Sequence, residues 1–388
     1  EVEPAGSLRR GRNTVGDIDL LASDERASEL FVSYPGVDRI LERGPTRSSV
    51  ILKNGTQVDL RIIEREGYGA ALMYFTGSKE HNIALRNLAI EKSWKLNEYG
   101  LYEGKSERRI AGKSEEDVYR KLGLEFIPPE LRENRGEIEA AKKGRIPAII
   151  KVDSIRGDLQ MHSTWSDGVD SLETMAKAAK QMGYEYVAFT DHSASVRIAN
   201  GLSEERFRKQ WKEIDQLNEK LAPFRILKGV EAEVKGDGSL DYDKKFFDEF
   251  DIVGASIHQG YNQSPEKLTG RAVKALSQPS VSFLCHPTNR LIGRREGHSL
   301  DMPKVIKAAK DNGKLLEIDG QPNRLDLDDV WAKRAMEEGV ALAIDSDAHS
   351  AGELENISFG VIVGRRAWLE KRHVANTRSL KDLLRLLA

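Results

Sequence analysis

Histidine and carboxylate recur through the second half of this chain at positions that suit divalent metal ions. In order they are Gln160-Met161-His162, Asp167, Asp191-His192, Glu231, His258, His286 and Asp345-Ser346-Asp347-Ala348-His349. The chain holds eight histidines, and five of them sit at or just past the C-terminal ends of predicted strands. Imidazole nitrogens mixed with carboxylates suit zinc or manganese, and several such ligands round one pocket suit a multinuclear cluster. Such a cluster would acidify a water and neutralise phosphoester oxygens during in-line attack. Taken singly, each residue has a plain structural reading. His258 could be a core or surface histidine, Asp167 between Ser166 and Gly168 a turn or cap residue, and Glu231 a salt-bridge partner. Taken together they point to metal. His81, His298 and His373 lack the strand-end setting and are read as structural.

A second constellation opens the chain. Asp17 and Asp19 stand two apart on a predicted strand, so both carboxylates share a face, and Asp59 lies on another strand with the same alternation. Three like charges on one sheet face call for divalent cations, and magnesium with nucleotide phosphates is the natural partner. Gly6 and Ser7 ahead of the pair can offer backbone N–H groups and a hydroxyl to phosphate oxygens. Asp-x-Asp by itself is common on surface strands; the Gly-Ser segment and the third aspartate make the pattern specific.

The elements that must position these residues follow from periodicity. A strand over 15–21 and a hairpin of 50–52 with 57–63 about Asn54-Gly55 are expected near the start. Short helices and loops follow to Pro128-Pro129, and the charged stretch 132–151 reads as a linker with some helix. From Ile155 onward strands are predicted at 186–190, 225–230, 252–257, 281–284, 314–318 and 341–344. Helices alternate with them at 171–182, 204–221, 265–276, 303–312 and 327–338. This is βα repetition at barrel-like spacing, whose strand ends converge on one face. The 388 residues, 39% hydrophobic and 31% charged, exclude a disordered chain. No apolar run reaches the roughly 20 residues of a membrane span, so no membrane role is expected. The single Cys285 excludes an internal disulfide and suits a reducing cytoplasm. A net charge of −2 does not advertise nucleic-acid binding. Basic clusters at Arg9, Arg10 and Arg12, Lys105 to Lys113, Lys142 to Arg145, and Arg290 to Arg295 are solvated faces or phosphate contacts. The chain begins at Glu1 without methionine, with a motif close behind, so an N-terminal part is expected to be missing.

The segments GDLQMHSTWSDG (157–168), AFTDHS (188–193), KGVEAEV (228–234), ASIH (255–258), CHPTNRLIGRREG (285–297) and DSDAH (345–349) are similar to the PHP (polymerase and histidinol phosphatase) domain. The version attached to bacterial and archaeal family X DNA polymerases is the one they most resemble. The resemblance implies a distorted seven-stranded βα barrel with up to three zinc or manganese ions and 3′-5′ exonuclease or related 3′-end activity on DNA. By position it implies His162, Asp167, His192, Glu231, His258, His286, Asp347 and His349 as ligands. The family's first motif is usually His-x-His. Here Gln160 holds its first place, and an amide is a weak, neutral ligand that cannot offer an imidazole nitrogen.

GSLRRGRNTVGDIDLL (6–21) and residues 1–131 at large resemble the family X nucleotidyltransferase palm and thumb. The resemblance implies Asp17, Asp19 and Asp59 as the catalytic triad with Mg2+, and Ser7, Arg10 and Gly16 as triphosphate contacts. Tyr74, Phe75 and Gly77 fall in its sugar-binding segment, Asn82 at a nucleotide contact and Arg86 at a template contact; core packing is the other reading for Tyr74 and Phe75. Arg290, Arg294 and Arg295 are further candidate DNA contacts. Gln57 stands where some relatives have arginine, and the fingers and N-terminal DNA-binding segment are expected to be missing, so weak polymerase activity is expected. The fold class expected is α/β: a partial α+β palm (1–67) and thumb (68–131), a linker (132–153) and the barrel (154–388). The partners expected are gapped or 3′-end DNA and deoxynucleoside triphosphates, for a monomeric enzyme. Two rivals remain: a small-molecule phosphatase, which has no use for the palm motif, and a degenerate barrel that scaffolds the palm.

Overall fold

Alternating apolar residues form the first sheet. The computed structural model describes residues 2–104, 108–260 and 262–387, and the chain divides into units Glu1–Pro147 and Ala148–Ala388. In the first unit lie β1 (Val2–Pro4), α1 (Gly6–Arg9), β2 (Asp17–Ala22), α2 (Arg26–Val32), β3 (Val37–Arg43), β4 (Arg47–Leu52) and β5 (Gln57–Ile62). The sheet order is β1-β2-β5-β4-β3, with β2 and β5 parallel and the other pairs antiparallel. The hairpin β4–β5 turns at Asn54-Gly55, where Gly55 has φ +86°, as the sequence predicts. Helices α3 (Tyr68–Thr76) and α4 (Lys79–Glu91) follow, then a three-stranded sheet of β6 (Trp94–Asn97), β7 (Gly100–Glu103) and β8 (Arg109–Ala111). The basic run expected from Lys105 begins at 105–107, outside the described residues.

The charged stretch after Pro129 differs from the expected linker. It continues the first unit through α6 (Glu137–Lys142), which follows α5 (Glu115–Leu122). Arg132 is fully buried, donating to Glu115 Oε1 at 2.6 Å and to the Ile127 carbonyl at 2.9 Å. Arg9 donates to the same Glu115 carboxylate. Glu137, also fully buried, lies 2.7 Å from His81 Nδ1 and accepts the Asn134 and Arg135 amides. Paired, hydrogen-bonded charges can be buried, so a charged composition here conceals packing. The histidine read as structural, His81, is part of it.

The second unit is a parallel barrel. Its strands are β9 (Gly157–Met161), β10 (Tyr186–Phe189), β11 (Arg225–Glu233), β12 (Ile252–Ser256), β13 (Phe283–Leu284), β14 (Leu315–Asp319) and β15 (Leu342–Asp345), paired in sequence order. Between and after them come α7 (Leu172–Gln181), α8 (Glu204–Leu221), α9 (Lys244–Phe247), α10 (Pro265–Leu276), α11 (Met302–Asp311), α12 (Asp329–Glu337), α13 (Ile357–Arg366) and α14 (Leu380–Leu387). Along the strands, residues two apart share a face, and the inner face changes from apolar to acidic toward the C-terminal ends. Leu227 is followed by Glu231 and Glu233, Leu315 by Glu317 and Asp319, and Ala343 by Asp345 and Asp347. The apolar members form one buried layer with Leu159, Tyr186, Ala188 and Phe283. The pattern reading gave six of the seven strands and not β9. Here Asp158 pairs with Val187 but Met161 with Phe189, a bulge that re-phases the strand and spoils simple alternation.

The first and last strands meet across a seam. Leu159 N–H donates to Asp345 Oδ1 at 2.8 Å and Ser346 N–H to Asp158 Oδ1 at 3.2 Å. Beyond them, His162 N–H donates to the Ala348 carbonyl and Asp347 N–H to that of Gln160. The Asn376 amide ties both sides, donating to the carbonyls of Gly157 (2.8 Å) and Ile344 (2.6 Å).

Trypsin is expected to cut at exposed Lys142, Lys143 or Arg145 and spare Arg132, leaving a stable C-terminal fragment visible by mass spectrometry. Cleavage first at Arg132, or no stable fragment, contradicts two independently packed units. A second expectation concerns the seam. Burial, helped by Asp347, pushes Asp158 up to about 7, so the folded state holds a proton that the unfolded chain releases near 4. Stability therefore falls as pH rises through about 7. Asp158→Asn keeps the acceptor without the charge. Its melting temperature in EDTA should rise relative to the parent between about pH 5 and about pH 8; parallel pH profiles would refute this.

Candidate metal centre

The strands that change from apolar to acidic deliver their polar ends to one mouth. At its middle is Glu231, fully buried, from β11. Its Oε1 lies 2.8 Å from His286 Nε2 and 3.1 Å from His258 Nε2, and its Oε2 lies 3.1 Å from His192 Nδ1 and 3.5 Å from His162 Nε2. His162 Nε2 is also 3.0 Å from Asp347 Oδ1. Asp167 reaches the other side, 3.4 Å from His192 Nε2, 3.6 Å from His349 Nε2 and 3.9 Å from His162 Nδ1. Two ligand groups result: His162, Asp167, His192 and His349, and then His192, Glu231 and His258, each with ligand atoms within 4.8 Å of one another. Seven of the eight expected ligands thus line one cavity of about 240 Å³, which Arg324 also lines; the eighth, His162, is buried against Glu231 and Asp347.

Local backbone features hold these side chains. A Cβ on Gly168 would stand 2.7 Å from the Ser163 nitrogen and 2.8 Å from the His162 carbonyl; glycine there lets the loop bearing Asp167 press against the end of β9. His286 and Asp347 both have positive φ, +25° and +50°, a conformation that costs side-chain-bearing residues on the order of 1–3 kcal/mol and gathers at functional sites. Chemically, the donor set fits metal. Buried Nδ1 atoms of His162 and His286 have no hydrogen-bond partner among the described residues, nor do the Gln160 Oε1 and Nε2, and an unpartnered buried polar atom is costly.

Supporting residues were less visible in the sequence. Glu233 Oε2 lies 3.0 Å from His258 Nδ1, so Nδ1 carries the proton and Nε2 faces Glu231, the carboxylate–histidine arrangement that orients metal ligands. His349 Nδ1 is fixed likewise against the Asp347 carbonyl at 2.8 Å. Asp191 accepts from the Ser163 amide (2.9 Å) and hydroxyl (2.8 Å) and from Ser166 Oγ (2.5 Å); it braces the Asp167 loop and is not itself placed among the ligands. Glu317 Oε2 accepts the His286 amide at 2.5 Å. The Glu-x-Glu spacing of 231 and 233 was the available signal for Glu233. Arg324, with Nε 3.5 Å from Asp319 and 4.0 Å from Asp347, had none.

Charge inside the mouth is strongly coupled. Burial would raise the Glu231 carboxyl, but His258 and His192 outweigh it and hold it well below the usual range. Conversely, burial would lower His258 and His349, yet the carboxylates outweigh it: Glu231 and Glu233 hold His258 up at about 10, and Asp167 with Asp347 does the same for His349. Beneath, burial together with neighbouring carboxylates pushes Glu317, Asp319 and Asp345 far up.

In the first unit, parallel pairing sets Asp19 of β2 directly beside Asp59 of β5, with Asp17 beside Gln57. Burial, then Asp17 and Asp59, raise the Asp19 carboxyl, the condition that a divalent cation relieves. Gly6 lies so near that a Cβ would stand 2.2 Å from Asp19 Oδ2. Ser49 donates to Asp59 and Gln57 Nε2 does so at 3.3 Å. Ser7 lies on α1, and Gly16 is exposed just before β2. Arg10 donates to the Thr76 carbonyl at 2.5 Å and pairs with Glu133. Tyr74 and Phe75 meet edge to face at 5.2 Å with Arg61 over Phe75, and Asn82 donates to the Tyr74 carbonyl. Gly77 has φ +72° and Arg86 is exposed. Of the expected arginine contacts in the barrel, Arg290 donates to the carbonyls of Arg324 and Leu325, and Arg295 to that of Asn289. Arg290 thus ties its loop to the segment after β14 and Arg295 braces its own loop, while Arg294 is exposed.

The DNA polymerase beta thumb family matches residues 71–133 and the PHP domain family residues 158–321. A DNA polymerase/3′-5′ exonuclease PolX of Bacillus subtilis (strain 168) is 42% identical over 384 residues, 98% of this chain and 67% of the relative. A probable phosphatase of Thermoanaerobacter sp. (strain X514) is 29% identical over 212 residues, 52% of this chain and 82% of the relative. A solved ternary complex of Leishmania infantum polymerase beta is 26% identical with a TM-score of 0.30, covering 34% of this chain and 67% of that one.

Because carboxylates keep His258 and His349 protonated up to about 10, metal must displace those protons, and affinity should strengthen as pH rises toward about 10. Calorimetric titration of the metal-free chain with Mn2+ near pH 7.5, in buffers of different ionisation enthalpy, should show net proton release. No buffer dependence would refute it.

Proposed function

The chain belongs to the family of DNA polymerase/3′-5′ exonuclease PolX, and from that premise we propose that its barrel hydrolyses phosphodiesters at DNA 3′ ends. The carrying observation is one buried carboxylate, Glu231, among four imidazoles at the mouth of a PHP-domain barrel. His162, Asp167, His192, Glu231, His258, His286, Asp347 and His349 would hold zinc or manganese. When bound, such ions supply positive charge to the phosphodiester oxygens and lower the pKa of an attacking water. The chain's own residues orient this site: Glu233 and the Asp347 carbonyl fix the imidazoles of His258 and His349. Arg324 adds a fixed cation at the cavity wall, suited to a phosphate oxygen.

In the first unit Asp17, Asp19 and Asp59 would hold Mg2+ for nucleotidyl transfer from deoxynucleoside triphosphates, with DNA as the shared substrate of both halves. The likeness of the barrel to probable phosphatases favours a second reading, a small-molecule phosphatase. That reading leaves the three aspartates on adjoining strands without a task. No helix among the described residues is long and apolar enough to cross a membrane.

Gln160 is fully buried just before the expected ligand His162, and among the described residues neither of its amide atoms has a hydrogen-bond partner. Gln160→His should raise metal content per chain and Mn-dependent 3′-5′ exonuclease activity by about tenfold, the scale of supporting-residue effects at metal sites. His286→Ala should lower both in either background. Unchanged metal content and rate in Gln160→His would show that the amide suffices or that the position is not a ligand. A parent chain that hydrolyses small phosphomonoesters but not DNA would favour the phosphatase reading.

A further inference from the structure

Ile198 is 99% exposed, and it is not on a loose loop. It sits in a 3-10 turn, Arg197–Ala199, whose flanks are buried at Val196 and Ala199. Before the turn, Ser195 donates its amide to Asp241 at 2.8 Å, Ala194 N–H donates to the Tyr242 hydroxyl at 3.0 Å, and Gln259 Nε2 donates to the Ser195 carbonyl at 2.8 Å. After it, Asn200 Nδ2 donates to the Trp165 and Ser166 carbonyls. Isolated exposed aliphatics are ordinary, but this one is held rigidly outward at a particular place. It lines the metal-centre cavity and also an adjoining polar cavity of about 770 Å³ bounded by Arg197, Lys235 and Asp241. Ile198 and Gln259 are the residues the two cavities share.

The second cavity carries net positive charge. Arg197 is exposed, and among the described residues no ion pair or hydrogen bond engages its guanidinium. Lys235 Nζ is 4.0 Å from Asp241, whose own side chain is 3% exposed and already accepts from Ser193 Oγ, Ser195 Oγ and the Ser195 amide. Two cations beside an apolar projection, continuous with a phosphodiester-cleaving site, is the combination that single-stranded nucleic acid meets in its binding grooves: charge for the backbone and an apolar face for the base. We propose that Ile198, Arg197 and Lys235 form a subsite for the nucleotide adjoining the scissile phosphate of a single DNA strand. Ile198 packs on its base or sugar, and the two cations face its phosphates. The subsite rests on the phosphodiesterase reading above and adds to it where the strand lies.

The test isolates the metal-centre cavity within the full chain by following Mn-dependent hydrolysis of bis(4-nitrophenyl) phosphate. The competitor is a single-stranded oligothymidylate with phosphorothioate linkages. Ile198→Ala should weaken inhibition by about tenfold, the scale of a lost apolar side-chain contact, while uninhibited hydrolysis stays within about twofold. Ile198→Leu should restore inhibition, and Arg197→Ala with Lys235→Ala should weaken it and flatten its salt dependence. Unchanged inhibition in Ile198→Ala overturns the subsite, as does a fall in uninhibited hydrolysis equal to the fall in inhibition. A parent chain that hydrolyses the diester without being inhibited overturns the subsite and leaves a metal phosphodiesterase. One that does not hydrolyse the diester overturns both.

Discussion

A carboxylate without exposed surface is the constraint round which the barrel is organised. Glu231 cannot keep its charge in that position unless positive charge surrounds it, and four imidazoles from four different strand ends supply it. Of those four, His258 has its far nitrogen held by Glu233, while the Nδ1 atoms of His162 and His286 have no hydrogen-bond partner among the described residues. The requirement spreads outward until it meets water or apolar side chains. Parallel βα architecture can satisfy it because every strand brings its C-terminal end to the same mouth.

The same physics operates in the first unit with other residues. Glu115 is shared by Arg9 and Arg132, and Glu137 engages His81. Those buried pairs neutralise their charge with fixed partners from the chain. In the sheet Asp59 is 3.8 Å from Arg47, but Asp19 is raised by burial and by Asp17 and Asp59. The barrel mouth gathers more donor atoms than one ion pair needs; both suit a divalent cation. Completed ion pairs and incomplete ones separate scaffold from site.

Most of this was legible in the sequence where one residue type at one spacing has one physical meaning. Asp17 and Asp19 share a face because strands have period two, and histidines at successive strand ends must converge in a βα barrel. The reading failed where meaning depends on what comes into contact. A run such as Arg132 to Lys142 looks solvated until Glu115 and His81, distant in sequence, are found against it. Arg290, read from composition as part of a basic face, is found donating to the Arg324 carbonyl of a segment distant in sequence. Strand β9 escaped because its bulge breaks the alternation that marks a strand, and that bulge lets both Leu159 and His162 face inward.

The seam has a consequence in time. Asn376, whose amide ties Gly157 to Ile344, follows Gly157 by 219 residues. At synthesis speeds of about 5–20 residues per second, β9 leaves the ribosome on the order of ten to forty seconds before its closing partner exists. For that interval one edge of the sheet stands open, a template for pairing with any other strand. Gln160 and His162 meanwhile wait without the backbone contacts that Asp347 and Ala348 later make. The most chemically demanding part of the barrel is therefore also its last to be assembled, and its first-made strand spends longest exposed.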